Sequence, residues 1–316
     1  MADRSTDAVA ASEGQGSGGV SRTSSGSVDR IPAWTLAVAA MLSVQTGAAL
    51  SVHLFDAIGP AGTSWLRLSA GALIFLALRR PRLRRLGWRG LRPVLALGVT
   101  TGLVTTTFLS ALDRIPLGTA VAIEFMGPLS VAVFRSHRRR LLVWPALAMV
   151  GVVLMTEPWQ GSVDALGVLL AATAALGWAT YILLTQHVGD QIAGLEALSI
   201  TIPVAAMTAA VVGIPQASGS ITWGVVAAAF GLAVLLPVLP FSLELLALRR
   251  LTAAAFGTLM SIEPALGLLM GLVVLAQVPS PVQVLGVALV VTAGTGAARS
   301  GRRAESATEV APTLIE

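Results

Sequence analysis

The sequence predicts an all-α polytopic membrane protein of ten transmembrane helices, arranged as two inverted five-helix repeats. Three observations lead to this fold class. The 316-residue chain is 55% apolar and 12% charged, with a mean hydropathy of +0.80. Its arginines cluster between apolar segments, and its two halves can be aligned with each other. Soluble domains carry about 25% charged residues, so most of this chain must lie in lipid.

The two ends differ in composition from the rest of the chain. Residues 1–31 are rich in Ser, Gly and Ala and lack a continuous apolar core before a small-residue cleavage site. This composition favours a disordered cytoplasmic tail over a signal peptide. Residues 299–316 are also polar and form a second cytoplasmic tail. The first repeat is expected to cover residues 33–155 and the second repeat residues 165–298.

The apolar segments have the length that membrane helices require. A helix needs about 20 predominantly apolar residues to cross about 30 Å of hydrocarbon. The connections between the segments are short and marked by Gly, Pro or charge, which leaves no room for an extramembrane domain. The ten predicted spans are 33–54, 63–78, 93–112, 117–134, 141–155, 165–184, 195–213, 222–247, 252–276 and 281–298.

The placement of arginine predicts the orientation, because Lys and Arg are retained on the cytoplasmic side of a membrane. The segments after spans two, four and eight, together with the two tails, hold every arginine except Arg67 and Arg114. These segments all fall on one side, so we expect both termini in the cytoplasm and the protein in the plasma membrane. The net charge of +5 therefore reflects orientation and does not indicate a nucleic-acid partner.

An internal repeat relates the two halves at an offset of 136 residues. It places residues 111–134 on residues 247–270 without a gap. Each half contains an odd number of spans, so the second half enters the membrane from the opposite side, as in many secondary transporters. In such proteins the substrate site lies near the midplane, where the repeats meet. The aligned identities are Ala111 with Ala247, Leu112 with Leu248, Arg114 with Arg250 and Pro128 with Pro264.

Two glutamates are predicted in the middle of the membrane, Glu124 in span four and Glu263 in span nine. A carboxylate there costs about 2.5 to 3.5 kcal/mol, so it usually faces the bundle interior or a water-filled cavity. The two positions are offset by about one helical turn in the repeat alignment, and we expect both side chains to point toward a shared centre. A structural carboxylate, protonated or hydrogen-bonded to a neighbouring helix, is the alternative interpretation.

A proline accompanies each of these glutamates. Proline cannot donate a hydrogen bond to the carbonyl four residues earlier, so Pro128 frees the carbonyl of Glu124 and Pro264 frees that of Met260. Non-helical backbone at membrane depth is tolerated where protein or a water-lined cavity satisfies it. A simple kink is the alternative, but the coincidence of proline and glutamate in both halves favours a functional role.

Other polar or aromatic side chains are weaker candidates for a substrate or proton pathway. Trp178 and Tyr181 lie at i, i+3 spacing in span six, where they could line a cavity or form an interfacial belt. Glu244 could act as an inner gate or pair with neighbouring arginines, and Arg67 could bind a substrate carboxylate or snorkel outward. The remaining candidates are Gln45 in span one and Ser242 in span eight.

The sequence lacks the motifs of several other functional classes. It has no Cys, no metal-ligand pair, no nucleophile–base pair, no Walker loop and no Gly-rich nucleotide motif in a βαβ context. An intramembrane hydrolase or an ATP-driven pump is therefore disfavoured, and no metal or other cofactor is expected.

Four segments, VAIEFMGPLSVAVF, LGWATYILL, LPFSLELLALRRL and FGTLMSIEPALG, occur in that order within the ten spans. Together they resemble the drug/metabolite transporter superfamily with its paired EamA repeats, and within it the threonine/homoserine exporter branch. The resemblance implies an inner-membrane exporter of small amino acids or related metabolites that works by alternating access. One departure is Gln277, where many family members carry Glu. The residues in the matching segments are Glu124, Phe125, Pro128, Trp178, Tyr181, Ser242, Glu244, Glu263 and Pro264.

Our first hypothesis is a proton-coupled exporter in which Glu124 and Glu263 alternate between a proton and the ammonium group of the substrate. A second hypothesis keeps the fold and changes the cargo to a drug or another metabolite. A third is a membrane enzyme or a scaffold that transports nothing. The expected partners are a small-molecule substrate, protons and the lipid bilayer, for a monomer or a dimer.

Overall fold

The computed structural model describes residues 32–78, 87–134, 139–160, 163–189, 195–248, 251 and 253–309. All regular elements in these ranges are helices, which confirms the predicted all-helical class. They belong to the compact unit Ala33–Glu316. The predicted tail 1–31 lies outside the described residues. The α-helices are α1 (Ala33–Val52), α2 (Phe55–Leu78), α3 (Gly87–Leu112), α4 (Leu117–Phe134), α5 (Val143–Thr156), α6 (Ala165–Gly189), α7 (Leu195–Ala217), α8 (Trp223–Ala233), α9 (Leu239–Leu248), α10 (Ala253–Met260), α11 (Glu263–Leu275) and α12 (Pro281–Glu309).

Nine helical stretches in the described part of the chain are long and apolar enough to cross a membrane. The predicted fifth span, 141–155, is the exception. It corresponds to α5, which has 14 residues and follows a short 3-10 turn at Arg139–Leu142. At about 1.5 Å per residue this helix is shorter than the hydrocarbon core. The structure therefore gives a multi-pass helical protein with nine clear spans and a tenth, shorter apolar helix.

Two predicted spans are not single helices. Span eight is α8 and α9, separated by a π-helical segment at Val234–Val238 in which Leu236 has non-helical angles of φ −160° and ψ 111°. Span nine is α10 and α11, separated by a turn at Ser261 and Ile262. Proline contributes to both interruptions, because it supplies no N–H to the helix and clashes with the preceding turn.

Some helix ends also differ from the prediction. α2 begins at Phe55, before the predicted residue 63, and bends at Gly59, where φ is 69° and ψ is 168°. Glycine accepts this left-handed φ without a Cβ penalty, and Pro60 then stands in the first turn of the straight part of α2. At the other end of the chain α12 continues past Ala298 to Glu309.

Three helix pairs run antiparallel in close contact. Gln216 at the end of α7 accepts hydrogen bonds from Ala61 and Gly62 near the start of α2. Leu117 at the start of α4 packs on Gly271 of α11, whereas Val121, one turn later in α4, packs on the earlier Gly267. Gly151 of α5 and Gly286 of α12 pack backbone to backbone. In the repeat alignment, each of these pairs joins a span to its own counterpart in the other half.

The remaining helix contacts also come in matched sets. α3 packs on α6, as α9 packs on α1. α4 packs on α6, as α11 packs on α1, and α3 packs on α7, as α8 packs on α2. Exchanging the two halves of the chain therefore reproduces the contact pattern. Contacts between neighbours connect α9, α1, α11, α4 and α6 in that order.

Candidate functional site

Glu263 lies at the interruption of span nine. α10 ends at Met260, and Glu263 is the first residue of α11, followed by the buried Pro264. Proline is well tolerated in the first turn of a helix, where its missing N–H would have no intrahelical partner. A carboxylate in that turn also interacts favourably with the helix dipole. The sequence Glu-Pro thus begins a helix within the membrane span and does not merely bend one.

Ser261 holds this interruption to a neighbouring helix. Its side chain is fully buried, and its hydroxyl donates to the carbonyl of Thr258 at 2.6 Å. The same hydroxyl lies 2.8 Å from Thr295 Oγ1 on α12. Unpaired polar groups in a membrane interior are costly, and these bonds satisfy part of the backbone that the turn leaves free. The turn is therefore a built feature of the bundle.

Three glutamates, which we call the carboxylate group, interact electrostatically across the bundle. They are Glu124 of α4, Glu244 of α9 and Glu263 of α11, and each is half-buried. The charge of Glu263 acts on both Glu124 and Glu244. Among the described residues, no arginine lies within salt-bridge distance of any of them. Glu263 is thus the member of the group whose charge acts on both of the others.

Gln45 of α1 contacts the central glutamate. Its Nε2 lies 3.5 Å from Glu263 Oε1, a long hydrogen bond. The side chain is 3% exposed, and its Oε1 has no hydrogen-bond partner in the described part of the structure. A buried amide oxygen without a partner is costly. The Gln45–Glu263 contact is therefore incompletely satisfied on the amide side.

An aromatic pair on α6 covers the other two glutamates. The side chain of Trp178 interacts with Glu124. The rings of Trp178 and Tyr181 stand edge to face, with centroids 5.0 Å apart and an interplanar angle of 74°. Tyr181 interacts with the charge of Glu244 and with Thr185. These two side chains therefore face the carboxylate group rather than forming a belt at the membrane surface.

Four predicted residues lie elsewhere. Phe125 is 7% exposed and belongs to the apolar core, where its ring packs against Gly294 of α12. Ser242 is exposed and bonds the carbonyl of Val238 in its own helix. Pro128 lies within α4, which continues through it to Phe134. Arg67 is buried and contacts Ser51.

Arg249 and Arg250, the predicted alternative partners of Glu244, lie outside the described residues.

Sequence reasoning missed the hydrogen bonds made by three polar side chains. Ser43 of α1 donates to the carbonyl of Leu235, next to the interruption of span eight, at 2.7 Å. Ser261 supports the interruption of span nine in a similar way. Gln277 accepts the N–H of Leu117 at the start of α4, 3.0 Å away. The available signal was position: Ser261 precedes the Glu-Pro pair, and Gln277 follows the end of a span.

A cavity of about 300 Å³ lies near the starts of α4 and α6 and the end of α5, and none of the predicted site residues lines it. Arg114 and Asp164 form a salt bridge of 3.1 Å at its wall. Glu157 accepts hydrogen bonds from Gln160 and Ser280 there. The polar groups of this wall satisfy one another, in contrast with the carboxylate group.

Comparison with known proteins agrees with the helical membrane fold. The model of the EamA-like transporter family matches residues 165–296. The chain is 36% identical over 288 residues to the threonine/homoserine exporter RhtA of Escherichia coli (strain K12), covering 88% of this chain and 96% of that protein. The chain belongs to the EamA-like transporter family, in the RhtA group.

Further relatives are consistent with this membership. RhtA of Salmonella typhimurium (strain SL1344) is also 36% identical, with the same coverage. One solved structure, described as "Crystal structure of protein", has a TM-score of 0.59 and 21% identity over 86% of this chain and 98% of that chain, which supports the fold. The EamA-like chain is therefore a multi-pass membrane transporter of a small molecule.

Proposed function

We propose that this transporter exports small amino acids, such as threonine and homoserine, across the plasma membrane in exchange for protons. The family membership and the printed function of the RhtA relatives support the cargo. One observation supports the coupling: Glu263 stands at an interrupted helix and interacts with two other intramembrane carboxylates that no described arginine neutralises. Such a group must take up a cation, and the available cations are a proton and the ammonium group of the substrate.

In the proposed cycle, Glu263 exchanges these two cations. An ammonium group binds to the ionised carboxylate, and a proton later displaces it. Gln45 is suited to both states, because rotation of its amide presents either an N–H donor to an ionised carboxylate or an oxygen acceptor to a protonated one. Glu124 and Glu244 supply the charge that makes one bound cation necessary at each stage. Trp178 and Tyr181 cover the group from α6.

The proposed cycle uses alternating access of two inverted five-helix repeats, with ten spans and both termini in the cytoplasm. The antiparallel contacts of three spans with their counterparts support this inversion, since an in-plane twofold axis reverses the direction of every helix. The interruptions at Ser261 and at Val234–Val238 lie where helices of the two halves meet. Non-helical backbone at membrane depth is typical of transporter sites.

The test is efflux of labelled threonine and homoserine from proteoliposomes under an imposed pH gradient. We expect Glu263→Gln to lower proton-driven efflux about a hundredfold, since each factor of ten corresponds to about 1.4 kcal/mol of lost interaction. Glu124→Gln and Glu244→Gln are expected to have smaller effects, because each of these side chains interacts with one other member of the group. Glu157→Gln, a buried glutamate outside the group, is the matched control.

Undiminished and still pH-dependent efflux in the Glu263→Gln protein would refute the role of this carboxylate. Wild-type vesicles that move neither amino acid, but release a drug or another metabolite in a competition panel, would refute the cargo. Flux that is independent of the pH gradient in wild-type vesicles would refute the proton coupling alone. The three outcomes are distinguishable in one preparation.

A further inference from the structure

Arg67 of α2 is 3% exposed, and it is buried where every other arginine with a described side chain is exposed. Its Nη1 donates to Ser51 Oγ on α1 at 3.0 Å, and that hydroxyl donates to the carbonyl of Gly47 at 2.6 Å. A guanidinium has five N–H groups, and Ser51 takes one of them. Within the described ranges, no carboxylate lies within salt-bridge distance of this side chain.

This burial is energetically costly. A charge removed from water without a counter-ion destabilises the folded protein strongly. An arginine near a membrane surface avoids that cost by extending its head group into water, but the burial of Arg67 excludes this explanation. Charged side chains inside a membrane pair with an opposite charge or with backbone carbonyls, and they mark substrate or ion pathways.

The surroundings of Arg67 include the interruption of span eight. Gly71, one turn further along α2, packs against Pro237, whose Cδ would lie 3.2 Å from a Cβ at that position. Gly47, whose carbonyl accepts from Ser51, packs in the same way against Leu236 at 3.3 Å. Arg67 therefore lies where α1, α2 and the segment Val234–Val238 meet. Irregular backbone at this depth is found where it is enclosed by protein or lines a cavity.

We propose that Arg67 binds the carboxylate of the transported amino acid, an inference that rests on the amino-acid export proposed above. A guanidinium and a carboxylate form a bidentate pair of two parallel hydrogen bonds. The two interruptions then carry opposite charges: carboxylates near Ser261 and a guanidinium near Leu236. This distribution offers a partner to each end of a zwitterion at different stages of transport, the glutamates to its ammonium group and Arg67 to its carboxylate.

α1 contacts both charged regions, through Gln45 to Glu263 and further along through Ser51 to Arg67. Ser51 is six residues beyond Gln45, which is about 9 Å along a helix axis at 1.5 Å per residue. The ammonium and carboxylate groups of an amino acid are attached to the same carbon, so one substrate cannot occupy both contacts as they stand. The carboxylate therefore reaches Arg67 as the substrate moves toward the α1–α2 turn.

The test measures binding to purified protein with two probes that each carry one end of threonine. 3-Hydroxybutyrate has the carboxylate without the ammonium group, and threoninamide has the ammonium group without the carboxylate. We expect Arg67→Gln to weaken the binding of 3-hydroxybutyrate about tenfold or more, because a charged hydrogen-bonding partner is lost. Binding of threoninamide should change less than about twofold, since the carboxylate group is intact.

Ser51→Ala separates this role from a structural one. It keeps the guanidinium and removes its bond to α1, so the preference between the two probes should persist. If Arg67 only ties α2 to α1, then Ser51→Ala and Arg67→Gln weaken both probes alike, and the proposal is overturned. Equal binding of 3-hydroxybutyrate by wild-type and Arg67→Gln protein overturns it as well.

Wild-type protein gives a second test that does not depend on the folding of a variant. Saturating 3-hydroxybutyrate should raise its melting temperature, whereas 1,3-butanediol, the same skeleton with an alcohol in place of the carboxylate, should not. Equal shifts, or no shift with the acid, would overturn the assignment. These readouts need no transport, so a failure of amino-acid export in vesicles remains distinguishable from a failure of the Arg67 site.

Discussion

The two glutamate-bearing spans, α4 and α10–α11, occupy related places in the two halves and are built differently. The offset of 136 residues pairs Phe125 with Ser261. Both side chains pack against Gly294 of α12, where a Cβ would lie 2.9 Å from the Phe125 ring and 2.6 Å from Ser261 Cβ. One half places a large aromatic side chain at this junction within a continuous helix. The other half places a small hydroxyl there and interrupts the helix.

A second aligned pair, Gly127 and Glu263, lies two residues further along and differs in chemical character. Gly127 of α4 lies so close to α6 that a Cβ would overlap the carbonyl oxygen of Ala175. Its counterpart is Glu263, which points toward Gln45 of α1. The packing of α4 on α6 and of α11 on α1 is the same contact in the two halves. In the first half, the backbones of α4 and α6 are in direct contact at Gly127. In the second half, the side chain of Glu263 lies between α11 and α1.

The comparison explains why the two glutamates are not equivalent residues. The two repeats supply two copies of the helical scaffold. A single site between them needs one carboxylate from each half, at different depths in the membrane. The offset of about one turn between Glu124 and Glu263 meets that need. In the proposed cycle, the intact α4 is the rigid wall of the site, and the interrupted span carries Glu263, the residue that would exchange the proton and the substrate.

The strongest expected effect on folding comes from closing the gap at Gly127. In Gly127→Ala the new Cβ would overlap the Ala175 carbonyl oxygen and lie 2.9 Å from its carbonyl carbon. Both of these atoms belong to the backbone of α6 and cannot move aside easily, so we expect a loss of about 3 kcal/mol of stability. The measurement is the melting temperature of purified protein in detergent.

Gly231→Ala is the matched control, since nothing lies within 4 Å of a Cβ at Gly231 in α8. Alanine is a better helix former than glycine, so this variant should be as stable as the wild type or slightly more stable. An equal loss in both variants would mean that α4 and α6 separate easily, and the contrast between a closed and an open contact would not hold.

A smaller loss is expected when the interruption of span nine loses its support. Ser261→Ala removes the bonds to Thr258 and Thr295 and leaves the Thr295 hydroxyl without this partner. Losing a buried hydrogen bond of this kind costs about 2 kcal/mol. Ser218→Ala, an exposed serine that bonds the carbonyl of Pro215, is the control and should be nearly neutral.

If Ser261→Ala melts at the wild-type temperature, the turn is held by Glu263 and Pro264 alone. The contrast with Phe125 would then be one of volume and not of hydrogen bonding. The pH dependence of transport by Ser261→Ala is a further measurement. Loosening the turn next to Glu263 should change it more than Ser218→Ala does.

The sequence was sufficient for the membrane class and for nine of the spans, because hydropathy is a local property of the chain. It did not predict that α4 would remain whole at Pro128 while span nine would break at Ser261. A proline removes one hydrogen bond in either case. The outcome depends on partners distant in the chain, such as Thr295 for Ser261 and Ala175 for Gly127. The snorkelling alternative for Arg67 failed for the same reason, since burial is set by the packing of neighbouring helices.

The starts of α4 and α11 also differ, and Gln277 tests that difference. Gln277 Oε1 accepts the N–H of Leu117 at the start of α4, whereas α11 has no side-chain cap and carries Glu263 in its first turn. We expect Gln277→Leu to cost about 1 kcal/mol of stability by removing this cap. Gln277→Glu keeps the acceptor and adds a negative charge that the helix dipole favours, so its melting temperature should equal or exceed that of the wild type. A loss in the glutamate variant as large as in the leucine variant would contradict the capping role.

The smallest expected effect concerns the segment just before α4, where Arg114 forms a salt bridge with Asp164 at the start of α6. The N–H of Gly167, and then Arg114, hold the pKa of Asp164 below its usual value of 3.8. A lowered pKa means that the folded state favours the ionised form, so the contribution is fully present above pH 3.8 and is lost as the pH falls through the folded-state pKa. Between pH 5 and pH 3 the melting temperature of the wild type should therefore fall more than that of Asp164→Asn, which has no charge to lose. Because the Asp164 side chain is 34% exposed, the difference should be small and should shrink in high salt. Equal decreases in the two proteins would mean that groups other than Asp164 cause the acid sensitivity. The start of α4 would then be stabilised by Gln277 and not by the Arg114–Asp164 pair.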